Sequence, residues 1–214
     1  MATSERLEQR ERNELCDLLL EVGPDAPTLD EGWSADDLAA HLVVRERDPR
    51  SSLGIIRPNS RFGAYTLKLM QRQKQKGFKN SVERIRSGPP LFPWRIPKLR
   101  TLLNLNEYFI HHEDVRRANG RARRTDRPDL DDALWAMLRR GTKFTTRSLK
   151  GGGLTLQRTS GEQIEVHKGD PVATIVGEPS EILLYLSGRR TAAIVEILGP
   201  PEAVDRVVNA KLGL

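Results

Sequence analysis

The spacing of apolar residues changes at Gly151-Gly152-Gly153, and this change constrains the fold more than any other feature of the chain. Before it, apolar residues recur every three to four positions, which is typical of amphipathic helices. After it, residues 154–158 and 163–167 alternate at period two around a short turn, which predicts a β-hairpin. We therefore predict a helical domain over residues 1–150 and a small α+β domain over residues 151–214.

Start and stop signals divide the two halves into elements. Ser34, with Asp37 three positions later, predicts the capped start of a helix. The other predicted helices of the first half cover about 4–22, 60–86, 97–118 and 130–149, with a proline-rich loop at 88–94. The second half adds predicted strands at about 171–176 and 193–197, and helices at about 179–186 and 202–210.

The helix over 97–118 carries two polar residues on its apolar side. Positions at steps of four are Leu99, Leu103, Glu107, His111 and Val115. Side chains four residues apart leave a helix on the same side, and a buried carboxylate or imidazole is costly unless something compensates it. A divalent metal would do so, and His41, within Leu-Ala-Ala-His-Leu, is the candidate third ligand.

Two histidines and a carboxylate suit zinc, although nickel or copper can occupy the same donors. Three protein ligands leave one position for water or substrate, which is typical of catalytic sites. Asp114, three residues after His111, is placed to support its imidazole. The alternative is that His41 is a core histidine bonded to a carbonyl. His112 faces about 140° away from Glu107 and is predicted to be structural or on the surface.

Charge and cysteine content limit the remaining possibilities. The net charge is +6, with a local cluster at Arg116, Arg117, Arg121, Arg123, Arg124 and Arg127. No aromatic residues alternate with these arginines, so a solvated helix end is favoured over nucleic-acid binding. Cys16 is the sole cysteine, predicted to be buried, and His167 is predicted to be exposed. No signal peptide or apolar run of 18 residues is found, which predicts a cytoplasmic protein without membrane association.

Two segments resemble the signatures of a known family. Residues 28–42, TLDEGWSADDLAAHL, resemble the pattern T-x-x-x-G-W-[ST]-x-x-D-L-x-A-H-L, and residues 107–114 resemble E-x-x-x-H-x-x-D. These patterns are those of the mycothiol-dependent maleylpyruvate isomerase N-terminal family, a branch of the DinB-like metal-binding bundles. The likeness is greatest to an actinobacterial subgroup of metal-binding proteins. It implies a divalent metal, usually zinc, on His41, Glu107 and His111; Asp30 departs from relatives that have cysteine there.

The resemblance also implies a fold and a chemistry. It implies a DinB-like four-helix bundle followed by a sterol-carrier-protein-like α+β domain. In that second domain Arg189 matches an arginine thought to reach the active site; the alternative is that Arg189 caps a helix end. The implied function is a mycothiol-dependent transferase or isomerase acting on a small organic substrate. A metal-dependent hydrolase and a non-catalytic metal-binding or ligand-binding protein remain alternatives, and a homodimer is compatible with the sequence.

Overall fold

The computed structural model describes residues 2–48, 50–51, 60–89, 97–149, 151–210 and 212. These residues form eight helices and four strands, and they divide into two compact units, Met1–Arg123 and Arg124–Leu214. The predicted fold class is confirmed, because the chain is mainly helical with a small sheet in its C-terminal part. The predicted loop at 88–94 lies, beyond residue 89, outside the described residues.

The first unit is a helical bundle. Its helices are α1 (Ala2–Val22), α2 (Ala35–Arg47), α3 (Arg61–Lys74), α4 (Phe78–Arg86) and α5 (Pro97–Ala118). Helix α1 packs against α4 and α5, while α2 packs against α3 and α4. One apolar cluster joins α1, α2, α4 and α5 through Leu15, Leu19, Leu38, Leu42, Val82, Ile85, Tyr108 and Val115. Burial of these side chains supplies the main driving force for assembling the bundle.

The start of α2 is fixed by the predicted capping box. The Ser34 hydroxyl accepts the Asp37 N–H, and the Asp37 carboxylate accepts the Ser34 N–H. The loop before this cap is also tied to α5. Leu29 donates its N–H to the Asp114 carbonyl at 3.2 Å, and the Asn119 amide donates to the Pro27 carbonyl. These bonds fix where α2 begins relative to α5.

The predicted helix over 60–86 is wrong as a single element, because it breaks into α3 and α4. Gly77 adopts a φ of +92° between them, a conformation that side chains with a Cβ disfavour. Before the break, Gln73 is buried, and its amide donates to Asn80 and Ser81 of α4. The turn therefore brings α4 back beside α3.

The second unit combines three helices with one sheet. Its elements are α6 (Pro128–Thr145), β1 (Gly153–Arg158), β2 (Gln163–His167), β3 (Val172–Gly177), α7 (Pro179–Leu186), β4 (Glu196–Leu198) and α8 (Pro201–Val208). The strand order is β2-β1-β3-β4; β1 pairs antiparallel with β2 and parallel with β3, and β3 pairs antiparallel with β4. Helices α7 and α8 pack on β3. The predicted hairpin is present.

Helix α6 belongs to this second unit by its packing. The change of pattern at Gly151 predicted a domain boundary after this helix. In the structure, its apolar side chains, including Leu134 and Leu138, are buried, and the helix packs on α7 and β2. Strand β4 is also shorter than the predicted 193–197 strand and begins later, at Glu196.

Among the described residues, none of the helices combines the length and apolar character that crossing a membrane requires.

Candidate metal centre

His41, Glu107 and His111 lie together in the first unit, and we call them the His-Glu-His cluster. His41 comes from α2, and the other two come from α5. One ligating atom of each residue lies within 4.8 Å of those of the other two. Both histidines are buried, while the Glu107 side chain is 25% exposed. The structure therefore brings together the three residues that the sequence analysis selected as metal ligands, with the carboxylate toward solvent.

One nitrogen of His111, Nε2, lies on the side of the ring nearer Glu107. His111 Nε2 lies 3.7 Å from Glu107 Oε2, one helical turn away. The ring of His41 meets the ring of His111 at 5.2 Å between centroids and an angle of 71°. The 3.7 Å between His111 Nε2 and Glu107 Oε2 exceeds the length of a hydrogen bond and is compatible with an ion held between the two groups.

Asp114 orients His111 from the other side of the ring. Its fully buried carboxylate lies 2.9 Å from His111 Nδ1. A carboxylate only accepts hydrogen bonds, so Nδ1–H is the donor in this contact, and Nε2 is the nitrogen on the side of Glu107. This contact is the one that the sequence spacing predicted. Carboxylate support of this kind is common behind histidines that bind metals.

Trp33 and Arg45 complete the surroundings of the cluster, and sequence reasoning missed both as site residues. The Trp33 ring meets the His41 ring edge-on at 5.2 Å. Arg45 places Nε 3.1 Å from Glu107 Oε2, and its Nη1 donates to Asn104 Oδ1 at 2.8 Å. The signal for Arg45 was its position four residues after His41, since such pairs share a helix face.

Within the part of the chain that the structure describes, two other groups of side chains are close enough to hold an ion. The first consists of Asp30, His111 and Asp114, and the second consists of Glu11, Glu14 and His112. The first group shares His111 with the cluster, and its Asp114 already contacts His111 Nδ1 at 2.9 Å. In the second group, His112 Nδ1 is 3.1 Å from Glu11 Oε2. The His-Glu-His cluster therefore has the donors best suited to an ion.

His112 is a structural histidine on a different face of α5. It is buried, as is its partner Glu11 on α1. This confirms one of the two predicted alternatives, a structural rather than a surface residue. The contact joins α1 to α5, so His112 holds the bundle together on the side away from Glu107.

A second buried polar pair joins α2 to α5 beside the cluster. The Tyr108 hydroxyl donates to Glu46 Oε1, and both side chains are buried. Burial raises the pKa of Glu46 from 4.5 to about 7 and also raises the pKa of Tyr108 well above its usual value. Glu46 follows Arg45 directly, and Tyr108 follows Glu107 directly, so the pair fixes the spacing of the two helices that bear the cluster.

Arg189, His167 and Cys16 were also singled out from the sequence, and each has its own contacts or burial. Arg189 lies at the end of α7 in the second unit, where its Nη1 donates to the Ser187 carbonyl at 2.8 Å, a contact that favours the helix-capping alternative. The prediction that His167 is exposed is wrong: it is half-buried, with Nε2 2.8 Å from Thr146 Oγ1. Cys16 is fully buried, as predicted.

Three arginines of the cluster near the end of α5 form ion pairs. Arg116 and Arg117 both contact the buried carboxylate of Glu113, and Arg121 pairs with Glu21. These contacts neutralise part of the local positive charge. They agree with the interpretation of a helix end better than with a surface arranged to bind phosphates.

Comparison with solved structures finds two with the same fold. They are mycothiol-dependent maleylpyruvate isomerase and a histidine-to-alanine mutant of it. Each is 18% identical, with a TM-score of 0.59 over 92% of this chain and 95% of the other. No protein-family model matches the sequence, and a search of curated proteins finds no significant relative. At this identity the likeness shows the fold, which is consistent with a DinB-like helical domain followed by a small α+β domain.

Proposed function

We propose that this protein binds one divalent metal on His41, Glu107 and His111, and zinc is the metal that we favour. We further propose that it uses the metal with a low-molecular-weight thiol, mycothiol, in an S-transfer or a thiol-assisted isomerisation of a small organic substrate. The observation that carries the proposal is the approach of two buried imidazoles and one carboxylate to within 4.8 Å of one another. The shared fold with a mycothiol-dependent isomerase supports the choice of thiol.

The donor set fits a divalent metal on chemical grounds. Histidine nitrogen and carboxylate oxygen are common ligands of zinc, and three protein ligands leave a position for a thiol. When bound, such a metal lowers the pKa of a coordinated thiol, which gives a thiolate nucleophile near neutral pH. Nickel would find the same donors acceptable, because affinity for these ligands follows the Irving–Williams order.

The protein's own residues provide orientation and a shielded environment. Asp114 would hold the proton of His111 on Nδ1, which leaves the lone pair of Nε2 to bind the ion. His41 is held on α2 by the capped start of that helix and by the packing of Leu38 and Leu42. Glu107 is more exposed than the histidines and marks the side from which a substrate would approach.

Metal content tests the binding half of the proposal. Purified wild-type protein is expected to contain about one divalent metal per chain, measured by mass spectrometry of the elements. His41→Ala should lose most of it because one of three ligands is gone. His167→Ala is the matched control, since this histidine contacts Thr146 and is not one of the three proposed ligands, and it should retain the metal. Absence of stoichiometric metal from the wild type, or an unchanged content in His41→Ala, would contradict the proposal.

Cobalt substitution tests the thiol half. Addition of mycothiol to the cobalt-loaded protein should produce a thiolate-to-cobalt charge-transfer absorption, and turnover of a thiol-acceptor substrate should require both components. A metal-loaded protein without this absorption and without thiol-dependent turnover would favour the non-catalytic alternative. Turnover that consumes water and ignores the thiol would favour the hydrolase.

A further inference from the structure

Arg45 contacts the same carboxylate oxygen that faces the histidines. Its Nε lies 3.1 Å from Glu107 Oε2, and that oxygen is also the one 3.7 Å from His111 Nε2. A guanidinium and a divalent ion are both cations that prefer a carboxylate partner. Glu107 is the only carboxylate of the His-Glu-His cluster, so Arg45 and an ion would compete for it.

Arg45 is built into the bundle rather than placed on its surface. Its side chain is 13% exposed, and its Nη1 donates to Oδ1 of the fully buried Asn104, one turn before Tyr108 on α5. It also follows His41 by four residues, so both side chains leave α2 on one side. Because the Asn104 contact does not involve the cluster, it would keep the guanidinium beside Glu107 after an ion has bound.

A largely buried guanidinium that loses a carboxylate partner is costly, and a replacement anion lowers that cost. The planar fork of arginine matches a carboxylate by two parallel hydrogen bonds. Arg45 already binds a carboxylate in this position, namely that of Glu107. A ligand that carries a carboxylate could therefore take over this contact when Glu107 turns to the ion.

We propose that Arg45 couples metal binding to anion binding at this site. It competes with the divalent ion for Glu107, and in the metal-loaded protein it holds a carboxylate of the ligand beside the ion. This inference rests on the proposed metal-binding function and adds to it a class of ligand, a small carboxylate-bearing molecule. It also predicts that metal affinity depends on the concentration of such anions.

Metal affinity with and without acetate tests the proposal. The zinc Kd is measured by competition with a chromophoric chelator, corrected for zinc-acetate binding in solution. In acetate-free buffer, Arg45→Gln should bind zinc about tenfold more tightly than the wild type, because a competing cation is removed. Acetate should tighten zinc binding several-fold in the wild type and have no effect in Arg45→Gln. Arg50→Gln removes an exposed arginine paired with Asp48 and should behave as the wild type.

The outcomes separate this inference from the proposed function. If Arg45→Gln binds zinc equally or more weakly, or still responds to acetate, Arg45 merely orients Glu107 and the inference is overturned while the metal site stands. If the wild type binds no zinc, the proposed function fails and the inference fails with it. If circular dichroism shows that Arg45→Gln does not fold, the wild type alone decides. Zinc binding by the wild type that does not change with acetate also overturns the coupling.

Discussion

At the scale of single residues, Asp114 determines which nitrogen of His111 faces the cluster. Asp114→Asn keeps the shape of the side chain but removes the negative charge behind the imidazole. Zinc affinity is expected to fall by about 10- to 100-fold, the usual effect of losing such a partner. Chelator competition measures it. The exposed Asp17→Asn is the matched control and should leave the Kd unchanged; an unchanged Kd in Asp114→Asn would show that the contact does not support metal binding.

Cys16 is the only thiol of the chain, and the bundle keeps it protonated. Burial raises its pKa to about 12, and its Sγ lies 3.6 Å from the Val82 carbonyl. Because the thiolate is the reactive form, native protein at pH 8 should not react with Ellman's reagent, whereas protein in guanidinium chloride should release one equivalent. Rapid reaction of the native protein would contradict this. An inert Cys16 means that a thiol used in catalysis comes from a second molecule.

Residue types and spacing were enough to select the three members of the cluster. Glu107 and His111 stand out because their neighbours at steps of four are apolar, and His41 because it interrupts an alanine-leucine run. Trp33 gave no comparable signal, and that of Arg45, its position four residues after His41, was weak. A single arginine near a helix end is ordinary on any surface, and a tryptophan beside a cap is usually core. Only tertiary packing shows that Trp33 meets His41 and that Arg45 contacts Glu107.

At the scale of elements, Gly77 separates α3 from α4. Gly77→Ala meets no atom within 4 Å, so any loss of stability comes from the backbone, whose φ of +92° costs a residue with a Cβ about 1–2 kcal/mol. Gly141→Ala is the matched control in α6, where the new Cβ also meets nothing and the helix gains about 0.5–1 kcal/mol. Urea unfolding should show these opposite signs. If both substitutions changed the free energy of unfolding equally, the positive φ at Gly77 would not disfavour a side chain.

Elements with strong local signals were predicted with nearly correct bounds. Helix α5 matches its prediction because prolines and an Asn-Gly pair mark its two ends, and the start of α2 is marked by the capping box. The break at Gly77 was missed because one glycine in a polar run is tolerated within many helices. Whether it bends the chain depends on the contacts that Gln73 makes across the turn, which no local pattern contains.

At the scale of the whole molecule, Glu46 makes stability depend on pH. The pKa of Glu46 is about 7 in the folded protein against 4.5 as the usual value, so the folded state holds this proton more tightly than the unfolded state. The resulting contribution to the free energy of unfolding is complete below about pH 4.5 and is lost as the pH rises through 7. The loss is on the order of 3 kcal/mol. In urea unfolding with chelator present, Glu46→Gln should lack this decline and be the more stable protein at pH 8. The exposed Glu31→Gln should keep it; an identical slope in Glu46→Gln would contradict the assignment.

The grouping of elements into two units followed only in part from the sequence. The loss of helical periodicity at Gly151 marks a change in secondary structure, whereas a compact unit is defined by which faces pack together. Helix α6 has an apolar side of its own, and nothing in its spacing states which partner covers that side. In the structure the partners are α7 and β2, both later in the chain, so the boundary falls before this helix.

The origin of the cluster in two distant helices has a consequence for folding. Glu107 follows His41 by 66 positions, so no short stretch of chain holds all three proposed ligands. A peptide containing α5 alone carries only two of them. Tight metal binding would therefore begin only after α2 and α5 have packed together. The time course of metal binding during refolding would then report when the two helices meet.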